Sequence, residues 1–216
     1  MYKINSLWHS AEPPTGFFSQ RLEEKIDTYY QLRYREYIYR NLPNKRVMID
    51  IGASIGIFAR PCAEHFEQVI CFEPNPIVFE VLKKNLETCT NVLMFNTGIS
   101  ARTQQVLFQM DPMQCGISYQ IGDRPVVSDW PTTKCQLETL DIYGLDRVDW
   151  IKIDVEGYEL DVLAGSRVTI QRNRPWLLLE DNGQSDQHRQ FLNDLCGPYQ
   201  RAEDLKSKTN SIWIPQ

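Results

Sequence analysis

The chain has 216 residues, 42% of them hydrophobic and 24% charged, with a formal net charge of -5. That length suits one domain and is cramped for two, and no apolar run approaches the ~20 residues that span a bilayer, which excludes a membrane helix. The acidic balance disfavours nucleic acid, whose phosphates are normally met by a basic face.

The start, MYKINSLWHSAEPPTGFF, lacks the basic, apolar and small-residue regions of a secretory signal,. The six cysteines, Cys62, Cys71, Cys89, Cys115, Cys135 and Cys196, form no CxxC pair. Both observations predict a cytoplasmic protein with reduced thiols.

Residues 1 to 16 carry Pro13, Pro14 and Gly16 without an apolar period and predict an irregular arm,. A helix is expected from Phe17 to Leu42, with Leu22, Ile26, Leu32, Tyr34 and Ile38 supplying apolar surface before Pro43,. Its segment YYQLRYREYIYR offers tyrosines that suit either helix packing or a lid over a sugar. Residues 1–44 are thus expected as an arm and helix packed on the site, and 45–216 as the catalytic domain.

VMIDIGASIG reads as a buried strand, a glycine turn and a helix start, with Pro61 in the first turns of IFARPCAEHF,. QVICFEP is a strand stopped by Pro74, and NPIVFEVLKKNLETC places Val78, Val81, Leu82 and Leu86 at helical spacing,. NVLMFNTGIS gives a third strand. RTQQVLFQMDPMQCGISYQIG alternates and carries glycine and proline, which predicts a β-rich insertion, and TKCQLETLDIY another strand running into a turn,.

DWIKID is a buried strand and EGYELDVLAGSRVTIQ a helix, in which Gly165 marks an end or a close contact,. PWLLLED is a strand, SDQHRQFLNDLCG a helix with Phe191, Leu192 and Leu195 inward, and NSIWIP a last strand. The order predicts an α/β fold, a mostly parallel sheet covered by helices with an antiparallel edge.

In DIGASIG, Asp50 to Gly56, the turn follows a strand and opens a helix, so Gly52 and Gly56 are the close-contact positions where a ligand approaches the backbone,. Ala53 and Ser54 stand where a dinucleotide turn would complete its glycines, so a pyrophosphate cradle is missing. Asp50 at the strand end suits the ammonium of a methionine moiety and repels a phosphate. Glu73, about 20 residues on and followed by Pro74, is placed to accept both hydroxyls of a ribose.

VMIDIGASIGIFA, CFEPNP, WIKIDVEGYELDVLAG and PWLLLED, in that order, resemble the FkbM family of S-adenosyl-L-methionine-dependent methyltransferases, from about Val47 to Asp181. The resemblance implies a seven-stranded Rossmann-like class I methyltransferase fold, with methionine near Asp50 and Gly52 and ribose on Glu73. It also implies adenine near Asn75, Asn96, Thr97 and Gly98. The expected cofactor set is Asp50, Gly52, Ala53, Ser54, Gly56, Glu73, Pro74, Asn75, Asn96, Gly98 and Asp154.

Methyl transfer from a sulfonium is a single displacement that needs a placed acceptor oxygen and a group to take its proton. Strand alternation puts Trp150, Lys152 and Asp154 on one side, with Asp154 emerging at the carboxyl end. Asp154, Glu156 and Glu180 are the candidates to orient or deprotonate a hydroxyl, while Glu159 and Asp161 fit a helix start. Lys152, in a strand that should be buried, pairs with Asp154 or Glu180 or extends to solvent.

Asp154, Glu156, Glu180 and Asp181 are grouped carboxylates, but no metal is expected. His9, His65 and His188 form no metal-ligand spacing and are expected at the surface,. The leading function is O-methylation of a sugar, glycan or other small molecule, the acceptor class that the resemblance implies. The alternatives are a cofactor-binding regulatory module without turnover and an NAD-dependent oxidoreductase.

Overall fold

The computed structural model describes residues 2–4, 7–9, 31–110, 118–120, 129–181, 183–202 and 209–216. The chain opens on a short antiparallel pair, β1 (Tyr2–Ile4) and β2 (Leu7–His9), where the sequence predicts an irregular arm. Helix α1 spans Leu32–Asn41; the part of the predicted helix from 17 to 30, including Leu22 and Ile26, lies outside the described residues.

Then follow β3 (Val47–Ile51), α2 (Ala59–Cys62), β4 (Gln68–Phe72), α3 (Pro76–Asn85) and β5 (Val92–Phe95). Pro61 sits inside the first turn of α2, where its missing N–H is not needed,. Asn75 caps α3, its Oδ1 accepting from the Ile77 and Val78 N–H groups,.

The predicted third strand is broken in two, because Asn96 and Thr97 turn the chain out of the main sheet. Its second part, β6 (Gly98–Ile99), joins β7 (Gln104–Met110), β8 (Ser118–Gln120) and β9 (Thr132–Glu138) in a four-stranded sheet ordered β6-β9-β7-β8. This is the β-rich insertion; its residues 111–117 and 121–128 lie outside the described residues. A 3-10 turn at Leu140–Tyr143 returns the chain to β10 (Val148–Ile153).

The single helix expected after β10 is two, α4 (Glu159–Ala164) and α5 (Arg167–Asn173). At the break Ser166 Oγ donates back to the Val162 carbonyl at 2.7 Å, and the backbone of Gly165 packs so close to Ser100 that a Cβ would lie 1.9 Å from its carbonyl oxygen,. β11 (Trp176–Glu180), α6 (Ser185–Cys196), β12 (Tyr199–Arg201) and β13 (Asn210–Pro215) complete the chain. The sequence does not signal β12, since three residues carry too little alternation to read.

The main sheet has seven strands in the order β12-β13-β11-β10-β3-β4-β5. From β11 to β5 neighbours are parallel, and β13 runs antiparallel to both β11 and β12. β3 and β10 are buried along their whole length, as central parallel strands covered on both faces must be.

Alternation then divides the core. Ile49, Ile51, Ile151, Ile153, Leu177 and Leu179 face Val162, Leu163, Ile170 and Leu192 of the later helices. Met48, Trp150 and Leu178 face Tyr34, Ile38, Phe58 and Cys62 on the other side. Full burial of each such side chain contributes about 1.5–3 kcal/mol before entropy is counted. Because the order reverses at β3, the carboxyl ends of β3 and β10 open a crevice, and both candidate motifs end there.

Candidate active site

The turn after β3 is shaped by residues in the left-handed region: Gly52 at φ 76°, Ser54 at φ 51° and Gly56 at φ 86°. Gly52 is required by contact as well, since a Cβ there would meet the Asp154 carbonyl oxygen at 2.0 Å. At Gly56 a Cβ would press on Leu82 of α3 at 2.9 Å. Both approaches are made by the chain's own atoms, at the positions where the motif predicts a ligand. Ser54, with a side chain in αL geometry, holds backbone strain of about 1–3 kcal/mol at the lip of the crevice,.

That strain aims a donor. The Ser54 N–H donates to Glu73 Oε2 at 3.0 Å, and the Asn75 N–H donates to Oε1 at 2.9 Å, so the buried carboxylate at the end of β4 is held at both oxygens. Burial pushes Glu73 up to about 7, against the lowering effect of the two N–H bonds,. Each oxygen keeps a second lone pair, which is what a ribose diol needs.

Asn96 Nδ2 donates to the Glu73 and Pro74 carbonyls at 2.9 and 3.2 Å, and a Cβ on Gly98 would strike Leu137 at 2.5 Å and Pro74 at 3.2 Å. Pro74, Asn75, Asn96 and Gly98 therefore build the frame around Glu73. Ala53 is buried in the turn itself.

Asp50 and Lys152 are register neighbours on β3 and β10, so alternation points them to the same face. Both are buried; Lys152 Nζ lies 3.0 Å from Asp50 Oδ1, 3.4 Å from the Gly52 carbonyl oxygen and 3.5 Å from Asp154 Oδ2. Burial raises the Asp50 carboxyl, opposed by the Lys152 charge. The sequence offers Asp50 to a ligand's ammonium; the structure gives its Oδ1 to Lys152 and leaves Oδ2 buried without a hydrogen-bond partner among the described residues.

Asp154 follows β10 with 18% of its side chain exposed. Register Ile153↔Leu179 places it beside Glu180 at neighbouring strand ends. Glu156 lies in the next loop at φ 58°, half-buried. Glu159, which the sequence marks as a helix-start acid, also locks the loop that carries Glu156. Its Oε1 accepts from the Val155 and Gly157 N–H groups at 3.3 and 3.1 Å.

Sequence reasoning misses Gln31. Its Nε2 lies 3.4 Å from Asp154 Oδ2, a contact across 123 positions that no local pattern signals. Tyr34 of the tyrosine segment is buried in the core, which favours packing at that position; Tyr29 and Tyr30 lie outside the described residues.

Away from the crevice, His188 is fully buried, contrary to the surface placement expected for it, because α6 turns it inward beside Asp181. Asp181 pairs with Arg201 at 3.2 Å and accepts from Ser185. Cys62, Cys71, Cys89 and Cys135 are free thiols, and burial pushes Cys62 and Cys135 up to about 12; Cys115 and the Cys196 side chain lie outside the described residues. Among the described residues no group of three or more His, Cys, Asp or Glu is placed to hold a metal ion, and no helix is long and apolar enough to cross a membrane.

The strand order, with its reversed last hairpin, and the turn at its switch point define a Rossmann-like class I methyltransferase fold,. The chain belongs to the methyltransferase FkbM domain family, whose profile matches residues 50–197.

It is 27% identical to the hexuronic acid methyltransferase AglP of Haloferax volcanii, over 58% of this chain and 52% of that one. It is 28% identical to the 2-O-methyltransferase NoeI of Sinorhizobium fredii, over 59% and 60%. A crystal structure of a methyltransferase FkbM from Methylobacillus flagellatus superposes with a TM-score of 0.60 at 20% identity, covering 87% of this chain and 47% of that one. The chain spans between about half and just under two thirds of the length of most curated relatives it matches, and a tenth of the antimetabolite synthetase AmbE of Pseudomonas aeruginosa.

Proposed function

We propose that this chain binds S-adenosyl-L-methionine at the carboxyl ends of β3, β4 and β10 and methylates a hydroxyl oxygen of a sugar, glycan or other small molecule. The observation that carries the cofactor half is Glu73, buried and held by the Ser54 and Asn75 N–H groups against a positive-φ turn. The acceptor half draws support from the sugar chemistry named for AglP and from the 2-O-methylation named for NoeI.

When bound, the cofactor supplies an electrophilic methyl on a sulfonium. Glu73 receives the two ribose hydroxyls with its remaining lone pairs, beside Ala53, Ser54 and Asn75. Gly52 lets the turn approach Asp154. Asp154 orients the acceptor hydroxyl and takes its proton, with Glu156 and Glu180 as neighbouring acids able to do so. The division into an arm and helix of residues 1–44 packed on a domain of residues 45–216 draws support from its described part, through the Gln31 contact and through Tyr34 and Ile38 in the core.

The acidic balance supports an enzyme that meets small molecules rather than nucleic acid, and cysteines without a CxxC pair support a cytoplasmic one,. The test is calorimetric titration with S-adenosylmethionine and NAD, followed by a tritiated-methyl transfer screen over nucleotide sugars, glycans and small phenolic or polyketide alcohols. Binding of S-adenosylmethionine and label in an alcohol acceptor are expected. Preference for NAD would remove the cofactor reading, and binding without any labelled product would make the chain a cofactor-binding module.

A further inference from the structure

Lys152 has no part in the proposed reaction, yet its surroundings are built around it. Its ammonium carries three N–H donors, and three acceptors lie near it: Asp50 Oδ1, the Gly52 carbonyl oxygen and Asp154 Oδ2. Phe58 closes a fourth side, its ring centroid 5.3 Å away. The pair with Asp50 alone would neutralise the charge of Lys152. The approach to Gly52 and Asp154 does something more, because it joins the turn to the acid across it.

Among the described residues the side-chain contacts of Asp154 fall on one oxygen. Oδ2 lies 3.5 Å from Lys152 Nζ and 3.4 Å from Gln31 Nε2. A carboxylate anchored through one oxygen has its plane set before a ligand arrives, and such preorganisation is what a proton-accepting or orienting group requires.

We propose that Lys152 is a positioning residue that clamps Asp154 Oδ2 against the Gly52 turn and so presents Oδ1 to the occupant of the crevice. Its effect on turnover rests on the methyltransferase reading; its effect on Asp154 does not. Lys152 acts through Asp154 and touches no substrate.

The experiment exchanges the buried pair for apolar residues of similar volume, Asp50→Leu with Lys152→Met, a replacement that often preserves a fold where removing one partner does not. The expected result is a melting temperature near that of the parent and a crystal structure in which the Asp154 carboxylate has left its position. With methyl β-D-glucuronide as acceptor, kcat should fall on the order of 100-fold.

Lys152→Gln, which keeps a donor towards Asp50 without the charge, is the second variant should the double one not fold, and the same displacement is expected. Lys152→Arg is expected to recover part of kcat. A merely structural pair predicts that the double variant keeps both Asp154 in place and native kcat, and either result in a folded variant overturns the proposal. If the parent binds no S-adenosylmethionine, the function reading fails while the position of Asp154 in the variant crystal still decides this one.

Discussion

In the proposed ribose contact, Glu73 would make cofactor binding depend on pH. Its folded value is raised to about 7 by burial, so its contribution to stability is full below the unfolded value near 4.5 and is lost as pH rises through about 7,. Ligand affinity runs the other way, because only the ionised carboxylate accepts from both ribose hydroxyls. The Kd for S-adenosylmethionine should rise by up to about tenfold per pH unit below about pH 6 and level off above about pH 8. Glu73→Gln should bind weakly at every pH, and calorimetry that shows a flat profile in the parent would remove Glu73 from the ribose. At Asp154 the expected change is catalytic: Asp154→Asn should lower the transfer rate by about 100-fold or more, and undiminished single-turnover transfer would pass the role to Glu156 or Glu180.

Two glycines separate local strain from function at the scale of the element. Gly52→Ala places a Cβ on the Asp154 carbonyl at φ 76°. It should cost about 2 kcal/mol or more and also abolish cofactor binding, since the turn and β10 must part. Gly165→Ala strikes the Ser100 carbonyl between α4 and α5, away from the crevice. A similar loss in thermal melting is expected there, with the Kd for S-adenosylmethionine kept in the fraction that stays folded. Equal loss of binding in both would mean that the Gly52 turn has no special part. The two contacts also show what was legible: Gly52 sits in a readable motif, whereas Ser100 and Gly165 meet across 65 positions of chain (165 - 100) that no periodicity connects.

For the whole molecule, the buried His188 sets an acid limit on stability. Burial lowers its folded value, so the unfolded chain binds the proton more readily and stability increases with pH in that range. Its contribution is intact above the unfolded value of 6.5 and disappears as pH falls through the folded one. The denaturant midpoint of the parent, taken relative to that of His188→Gln so that the opposite trend set by Glu73 cancels, should therefore decline from about pH 6.5 downward. A parent-minus-variant difference that holds steady from about pH 7 to about pH 5 would show that the folded state carries His188 charged.

The DIGASIG turn, Glu73 after QVICF and Asp154 after WIKI were determined by the sequence itself, because each depends on residues close together in the chain: a strand period, a glycine where φ must be positive, an acid at a strand end. The same locality made the α/β order and the antiparallel edge readable. The tertiary structure alone decided that Asp50 belongs to Lys152, that Gln31 reaches Asp154 and that His188 turns inward. Those facts follow from β10 settling beside β3 in one register and from helices covering both faces of the sheet, and register and coverage are properties of the packed chain that no local stretch encodes.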